Sequence, residues 1–387
     1  MSSLGAGDVD VASAPASRVA DAYFMAGMAH LYPLKPPSTG FASAWLGEPS
    51  FNASDVMAWT QKLNTWYTRF FKGNAQTPYR VFMRPNTVNP GGGVEIPNSF
   101  VATFDGRTKA DDLQLTLAHE MLHTWGPRLE PEGFETQWFT EGTAVFYQRV
   151  LPLRAGLLTP QRFLDDLNQT AVRYYTNSLI SAPNSEVGKR FWENTLIRVL
   201  PYDRGSFYFA VVNDQIRKAS GGKRSLDNLI LDLVARGRRG EKVDTASWIA
   251  MVAEEVGPAA QHTYDSMLSG AVLLPDSDAF GPCFERTTGT FRRFELGFDG
   301  KSMTLHPRIV QGLVAGSAAA QAGLRNGDEI LFPVGLDTVQ SDQKATVTFQ
   351  VRRDGVQIPI TYLPRGETTE AYQWRRKAGV SDSKCGI

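Results

Sequence analysis

His119-Glu120-Met121-Leu122-His123 constrains this chain more than any other feature of it. Histidines at i and i+4 stand on one face of a helix, with Cβ atoms about 5–6 Å apart. Their ring nitrogens can then reach one zinc ion at about 2.0–2.1 Å. Glu120, between them, is placed to take a proton from an attacking water. A catalytic zinc uses three protein ligands and keeps one position open, and Glu141 in Trp138-Phe139-Thr140-Glu141-Gly142 is the expected third ligand.

Around this motif the pattern is strand-rich first and helix-rich afterwards, an α+β layout. Ser54 to Lys72 reads as a helix with Ser54 as N-cap, ended by Gly73-Asn74. Tyr79 to Met83 alternates as a strand. Gly91 to Ile96 and Ser99 to Phe104 form an irregular second strand, which Pro97 assigns to a sheet edge. Thr108-Lys109-Ala110-Asp111 has the capping-box pattern and opens the histidine helix, which Gly126-Pro127 stops. The helix carrying Glu141 is expected to run to Leu151, before Pro152. Helices follow over 160–175, 203–219, 225–235, 245–255 and 258–268. After a linker at Pro275 to Pro282 the pattern turns to strands: Phe291 to Phe298, Arg308 to Leu313, Glu329 to Phe332, Thr346 to Arg352 and Ile358 to Leu363.

Whole-chain numbers exclude several function classes. The 387 residues suggest two or three domains, and 40 basic residues balance 40 acidic ones. A net charge of zero gives no electrostatic case for a nucleic-acid partner, and no apolar run is long enough for a membrane span. Residues 1–20 read as a disordered leader without signal-peptide character. The expected compartment is cytoplasmic, or periplasmic or secreted if the true start lies upstream. Cys283 and Cys385 lie far from the histidines; a solvated tail cysteine is expected in preference to a pair across the C-terminal region. The tail over 368–387 reads as charged and loose, with Trp374 as an anchor.

Taken together, His119 to Trp125, Trp138 to Gly142, Pro201-Tyr202-Asp203-Arg204-Gly205 and the segment around Gly323-Leu324 resemble the glycyl aminopeptidases, gluzincin metallopeptidases with a C-terminal PDZ domain. The resemblance covers roughly residues 20 to 365. It implies a thermolysin-like catalytic domain over 21–275, with a strand-rich and a helical lobe, and a PDZ-like domain over 283–367. It implies one zinc per chain on His119, His123 and Glu141, with Glu120 as general base. It makes Tyr202 the phenol that donates to the tetrahedral oxyanion, where negative charge develops. Gly92-Gly93-Val94-Glu95 matches an edge strand that pairs with the peptide, with Glu95 holding the free α-ammonium; Arg204 is grouped with these substrate contacts. Glu132 and Glu135 are alternative amine clamps. Ninety residues precede Gly91, fewer than family members carry there.

The expected function is zinc-dependent removal of N-terminal residues from peptides. The alternatives are a zinc endopeptidase and a non-catalytic PDZ scaffold that binds a peptide C-terminus. Ser317 to Ile330 carries the PDZ pattern: a serine cap, a short alanine-rich helix, a glycine stop and an Asn-Gly turn into a strand. Leu296-Gly297-Phe298 resembles the loop that grips a peptide carboxylate. The second PDZ helix is expected to be cut down.

Overall fold

Two short edge strands and three buried ones form the sheet that carries the site. In the computed structural model, which describes residues 1–5 and 16–386, these are β1 (His30–Tyr32), β2 (Phe41–Trp45), β3 (Tyr79–Pro85), β4 (Gly93–Ile96) and β5 (Ser99–Phe104). Their order is β1-β2-β3-β5-β4. The β2–β3 and β3–β5 pairs are parallel, whereas β1–β2 and β4–β5 are antiparallel. β2 and β5 are buried along their whole length, as strands covered on both faces must be. The single irregular edge strand expected here is two: β4 and β5 pair antiparallel around a turn at Pro97-Asn98, and only β4 is at the edge, while β5 lies inside the sheet.

Parallel pairing needs a crossover, and α1 (Ala53–Phe70) supplies it between β2 and β3. Its N-cap is Asn52, not Ser54: the Asn52 carboxamide accepts from the amides of Ser54 and Asp55. The histidine helix is α2 (Ala110–His123). The capping box expected at its start does not form. Asp105 lies closer and accepts from both the amide and the hydroxyl of Thr108, so Lys109 occupies the N-cap without a side-chain bond.

The chain divides into two compact units. The first holds residues 1–127, 147–159 and 230–239, and the second holds 128–146, 160–229 and 240–387. Helix α3 (Gln137–Arg154) runs unbroken through residues of both, and passes Pro152 rather than ending at Leu151. The second unit adds α4 (Pro160–Tyr175), α5 (Leu200–Ala219), α7 (Thr245–Val256) and α8 (Ala259–Ser269), while α6 (Leu226–Arg238) is shared. Its aromatic core brings Trp138 and Phe139 against Tyr208, Phe209 and Trp248.

The C-terminal part of the second unit corrects three expectations. First, the tail is not loose. β10 (Arg365–Arg376) pairs antiparallel with β6 (Phe284–Phe294), and Trp374 is 1% exposed. The Asn168 carboxamide on α4 both donates to the Trp374 carbonyl and accepts from its amide, each at 2.8 Å. Its exposed Glu367, Glu370 and Arg375 are why the segment reads as solvated. Second, Cys283 and Cys385 form a disulfide. Third, the segment around Arg308 to Leu313 makes only an isolated bridge, Ile309 to Glu329, beside the sheet of β7 (Glu329–Ile330), β8 (Val347–Arg353) and β9 (Val356–Tyr362). At the other end, Met1 donates to the Met25 carbonyl and Ser2 bridges Gly5 and Phe24, so these leader residues are tied down. Residues 6–15 of the leader lie outside the described residues.

Candidate metal centre

One turn of α2 puts both histidines on one face, and their Nε2 atoms converge to 3.3 Å with the rings at 84°. Two nitrogens at about 2.0–2.1 Å from a tetrahedral zinc ion stand about 3.3–3.4 Å apart, so this spacing suits a shared ion. His119 is held from behind: its Nδ1 lies 3.0 Å from the Gln148 carboxamide oxygen. An oxygen can only accept, so Nδ1 carries the proton and Nε2 keeps its lone pair for a metal. Both histidines belong to the first unit, and Glu141, the expected third ligand, lies on α3 in the second. Two nitrogens and one carboxylate oxygen make a zinc donor set. A second acidic group, Asp214, Asp276 and Asp278, surrounds the Lys218 ammonium, which pairs with all three carboxylates.

Glu120 is 9% exposed and lies against the edge strand. A Cβ on Gly93 would fall 2.3 Å from Glu120 Cγ and 2.5 Å from its Oε1, so only glycine lets β4 approach the carboxylate. Gly92 is constrained differently, by Asn89, whose Nδ2 would meet a Cβ at 2.2 Å. The Thr116 hydroxyl donates to the Gly91 carbonyl at 2.8 Å and ties the strand to α2. Alternation puts Glu95 on the strand face of Gly93, with Val94 turned outward and exposed. The Tyr79 phenol, 3.0 Å from the Thr124 hydroxyl, is pushed well up in pKa by burial, and the charges of Glu95 and Glu120 push it the same way. Both carboxylates are therefore within electrostatic reach of one buried ring.

Within the second unit, α3 and α5 cross at two motif glycines. A Cβ on Gly142 would lie 2.5 Å from the Gly205 backbone, and one on Gly205 would lie 2.2 Å from the Trp138 carbonyl oxygen. The crossing sets Gly205 against the turn of α3 from Trp138 to Gly142, and Tyr202 stands one turn earlier, in the first turn of α5. That first turn is anchored on both sides. Asp203, fully buried, takes a two-pronged ion pair from Arg173 of α4, at 2.6 Å for the closest contact. Arg204 corrects an expectation: it is 1% exposed, and its Nη2 donates to the carbonyls of Ile180 and Ala182 at 2.7 and 2.6 Å. It clamps a loop and has no surface to offer a substrate. Glu132 forms an exposed pair with Arg128, and the Glu135 carbonyl accepts from Asn184.

Sequence reasoning missed Gln148 and the glycine crossing. Gln148 stands seven residues after Glu141, two helical turns on the same face, and that spacing was the available signal.

Residues 112–185 match a family model described as M61 glycyl aminopeptidase. The matched stretch holds His119, Glu120, His123 and Glu141, so the part of the chain that carries the candidate metal ligands is what resembles this peptidase family. An aminopeptidase N family protein from Idiomarina loihiensis is similar over 89% of this chain and 68% of its own, at 16% identity and a TM-score of 0.59. At that identity the likeness is one of fold. An M1 zinc metallopeptidase from Deinococcus radiodurans overlaps more loosely, at 15% identity over 60% of this chain and 49% of its own, with a TM-score of 0.41. Native yeast LTA4 hydrolase is comparable: 17% identity, 59% and 37% coverage, and a TM-score of 0.41. The chain thus spans about two thirds of the first of these and half or less of the others. No curated protein matches this chain in sequence.

Proposed function

We propose that this chain is a zinc-dependent aminopeptidase, with His119, His123 and Glu141 as ligands of one zinc ion and Glu120 as general base. The observation that carries the reading is the edge strand. Gly93 lies on Glu120, and Glu95 follows on the same strand face. A peptide added along this strand would run its free amino group toward the Glu95 carboxylate.

Bound at these ligands, zinc would act as a Lewis acid on the scissile carbonyl and make water acidic enough to lose a proton near neutral pH. Glu120 accepts that proton and delivers it to the leaving amine. Gln148 keeps His119 in the ligating tautomer. The backbone of Gly92 and Gly93 pairs with the peptide, and Glu95 holds the α-ammonium. Tyr202 donates to the developing oxyanion; the two-sided anchoring of its helical turn by Asp203 and Arg204 supports that role.

Residues 21–275 are read as the catalytic region and the segment from 283 as a PDZ-like module that docks rather than captures peptides. The reading is supported by Asp337, at the start of the short helix Asp337–Ser341 expected to wall a peptide groove. It receives a two-pronged ion pair from Arg198 and a bond from Thr195, both in the helical part of the unit.

A matched pair of peptides, one free and one N-acetylated, tests the exopeptidase assignment on zinc-loaded protein. The free peptide should be cleaved and the blocked one spared, and Glu95→Ala should raise KM chiefly for the free amine. Equal cleavage of both makes the enzyme an endopeptidase.

A further inference from the structure

A cavity of about 320 Å³ opens beside the C-terminal end of α2, within the unit that holds the sheet. Its floor includes the buried Asn64 and Tyr79, with Thr124 and Trp125, the two residues after His123. Lys72, Asn74, Asn98 and Arg238 stand exposed at the rim. No aspartate or glutamate lines it. In a chain whose 40 basic and 40 acidic residues balance, two cations around one carboxylate-free cavity are a local separation of charge.

Three observations point to a ligand rather than a solvated surface. Among the described residues, neither Lys72 nor Arg238 is ion-paired. Arg238 donates to the carbonyls of Lys72 and Phe71 at 3.1 and 2.7 Å, which caps α1 and leaves its other N–H groups available. Asn64 is 8% exposed, and its Nδ2 is buried with no hydrogen-bond partner, a cost that an incoming acceptor would relieve. Trp125 is stacked between Phe71 and Tyr79, so its faces are covered and its edge is what remains. Gly73 stands beside that edge, where a Cβ would come 3.0 Å from Trp125 Nε1.

We propose that this cavity binds a small organic carboxylate of amino-acid size. A planar guanidinium, an ammonium, carboxamides and an indole N–H are donors suited to a carboxylate, and the aromatic edges suit its carbon skeleton. The volume lies at the small end of the range of about 300–1,000 Å³ for small-molecule sites.

Calorimetric titration of the zinc-loaded full chain with L-glutamate, and separately with inorganic phosphate, tests this. Lys72 is exposed, so Lys72→Gln should fold normally; Asn64→Leu serves as a second variant. Glutamate should bind saturably, one per chain, and Lys72→Gln should weaken it by about tenfold or more. No saturable glutamate binding, or binding unchanged in Lys72→Gln, overturns the proposal. Phosphate binding more tightly than glutamate overturns the ligand class. Binding that is lost in His123→Ala but kept in Lys72→Gln places the ligand on the metal centre and overturns it as well.

Discussion

Single atoms decide much of this site, and Gly93 is the clearest case. On the proposed reading the strand pairs with a bound peptide, while Glu120 keeps its carboxylate where a side chain on residue 93 would stand. Gly93→Ala should therefore displace Glu120 without touching a metal ligand. Zinc content should remain near one per chain while kcat falls by about tenfold or more, as for an interaction made mainly in the transition state. A Gly93→Ala enzyme with wild-type kcat would mean that Glu120 adjusts freely and that the close approach is incidental. Arg204 carries the opposite lesson. A cation inside a motif reads as a substrate contact, but its burial against the carbonyls of Ile180 and Ala182 gives it a scaffolding task. The roles of residues within the Pro201–Gly205 motif differ because their neighbours differ.

Elements here are held at their ends by buried charge as well as by apolar faces. Asp328, just before β7, accepts from the Arg325 amide and takes a two-pronged ion pair from Arg353 at the end of β8. Burial raises the Asp328 carboxyl, but the bonds and charges of Arg353 and Arg325 outweigh it and leave the group below the usual carboxylate range. A depressed folded-state pKa stabilises above the unfolded value of about 3.9, and that contribution disappears as pH falls through the lower folded value. Asp328→Asn should cost about 3 kcal/mol at pH 7 by leaving Arg353 without its partner. The difference between variant and wild type should shrink below about pH 4. Urea unfolding of both proteins at pH 7 and pH 3 checks this, and an equal gap at both pH values would refute it. The same logic of ends applies to α3 and α5, which approach closely only because Gly142 and Gly205 face each other.

At the scale of the whole molecule, the C-terminal segment is integrated into the second unit by long-range contacts. Cys283 and Cys385 close a loop across 102 positions, and β10 between them returns to pair with β6 and to lodge Trp374 beside α4. Closing so long a loop restricts the unfolded chain, so Cys385→Ser or reduction should lower stability by about 2–4 kcal/mol. Thermal unfolding with and without reductant measures it; an unchanged midpoint would show that β10 alone holds the segment. The amino-acid sequence by itself determined what depends on neighbours a few positions apart. That includes the histidine pair on α2, the strand-then-helix order and the helices from Pro160 to Ser269. Periodicity and turn chemistry act within one or two turns and are legible at that range. Only the tertiary structure decided what depends on distant groups meeting: Gln148 behind His119, Gly93 on Glu120, the Gly142–Gly205 crossing, the burial of Arg204, and the disulfide that fastens the tail. A charged strand such as β10 lacks a clean apolar alternation, and only its pairing with β6 and the contact of Trp374 with α4 show that it is part of the core.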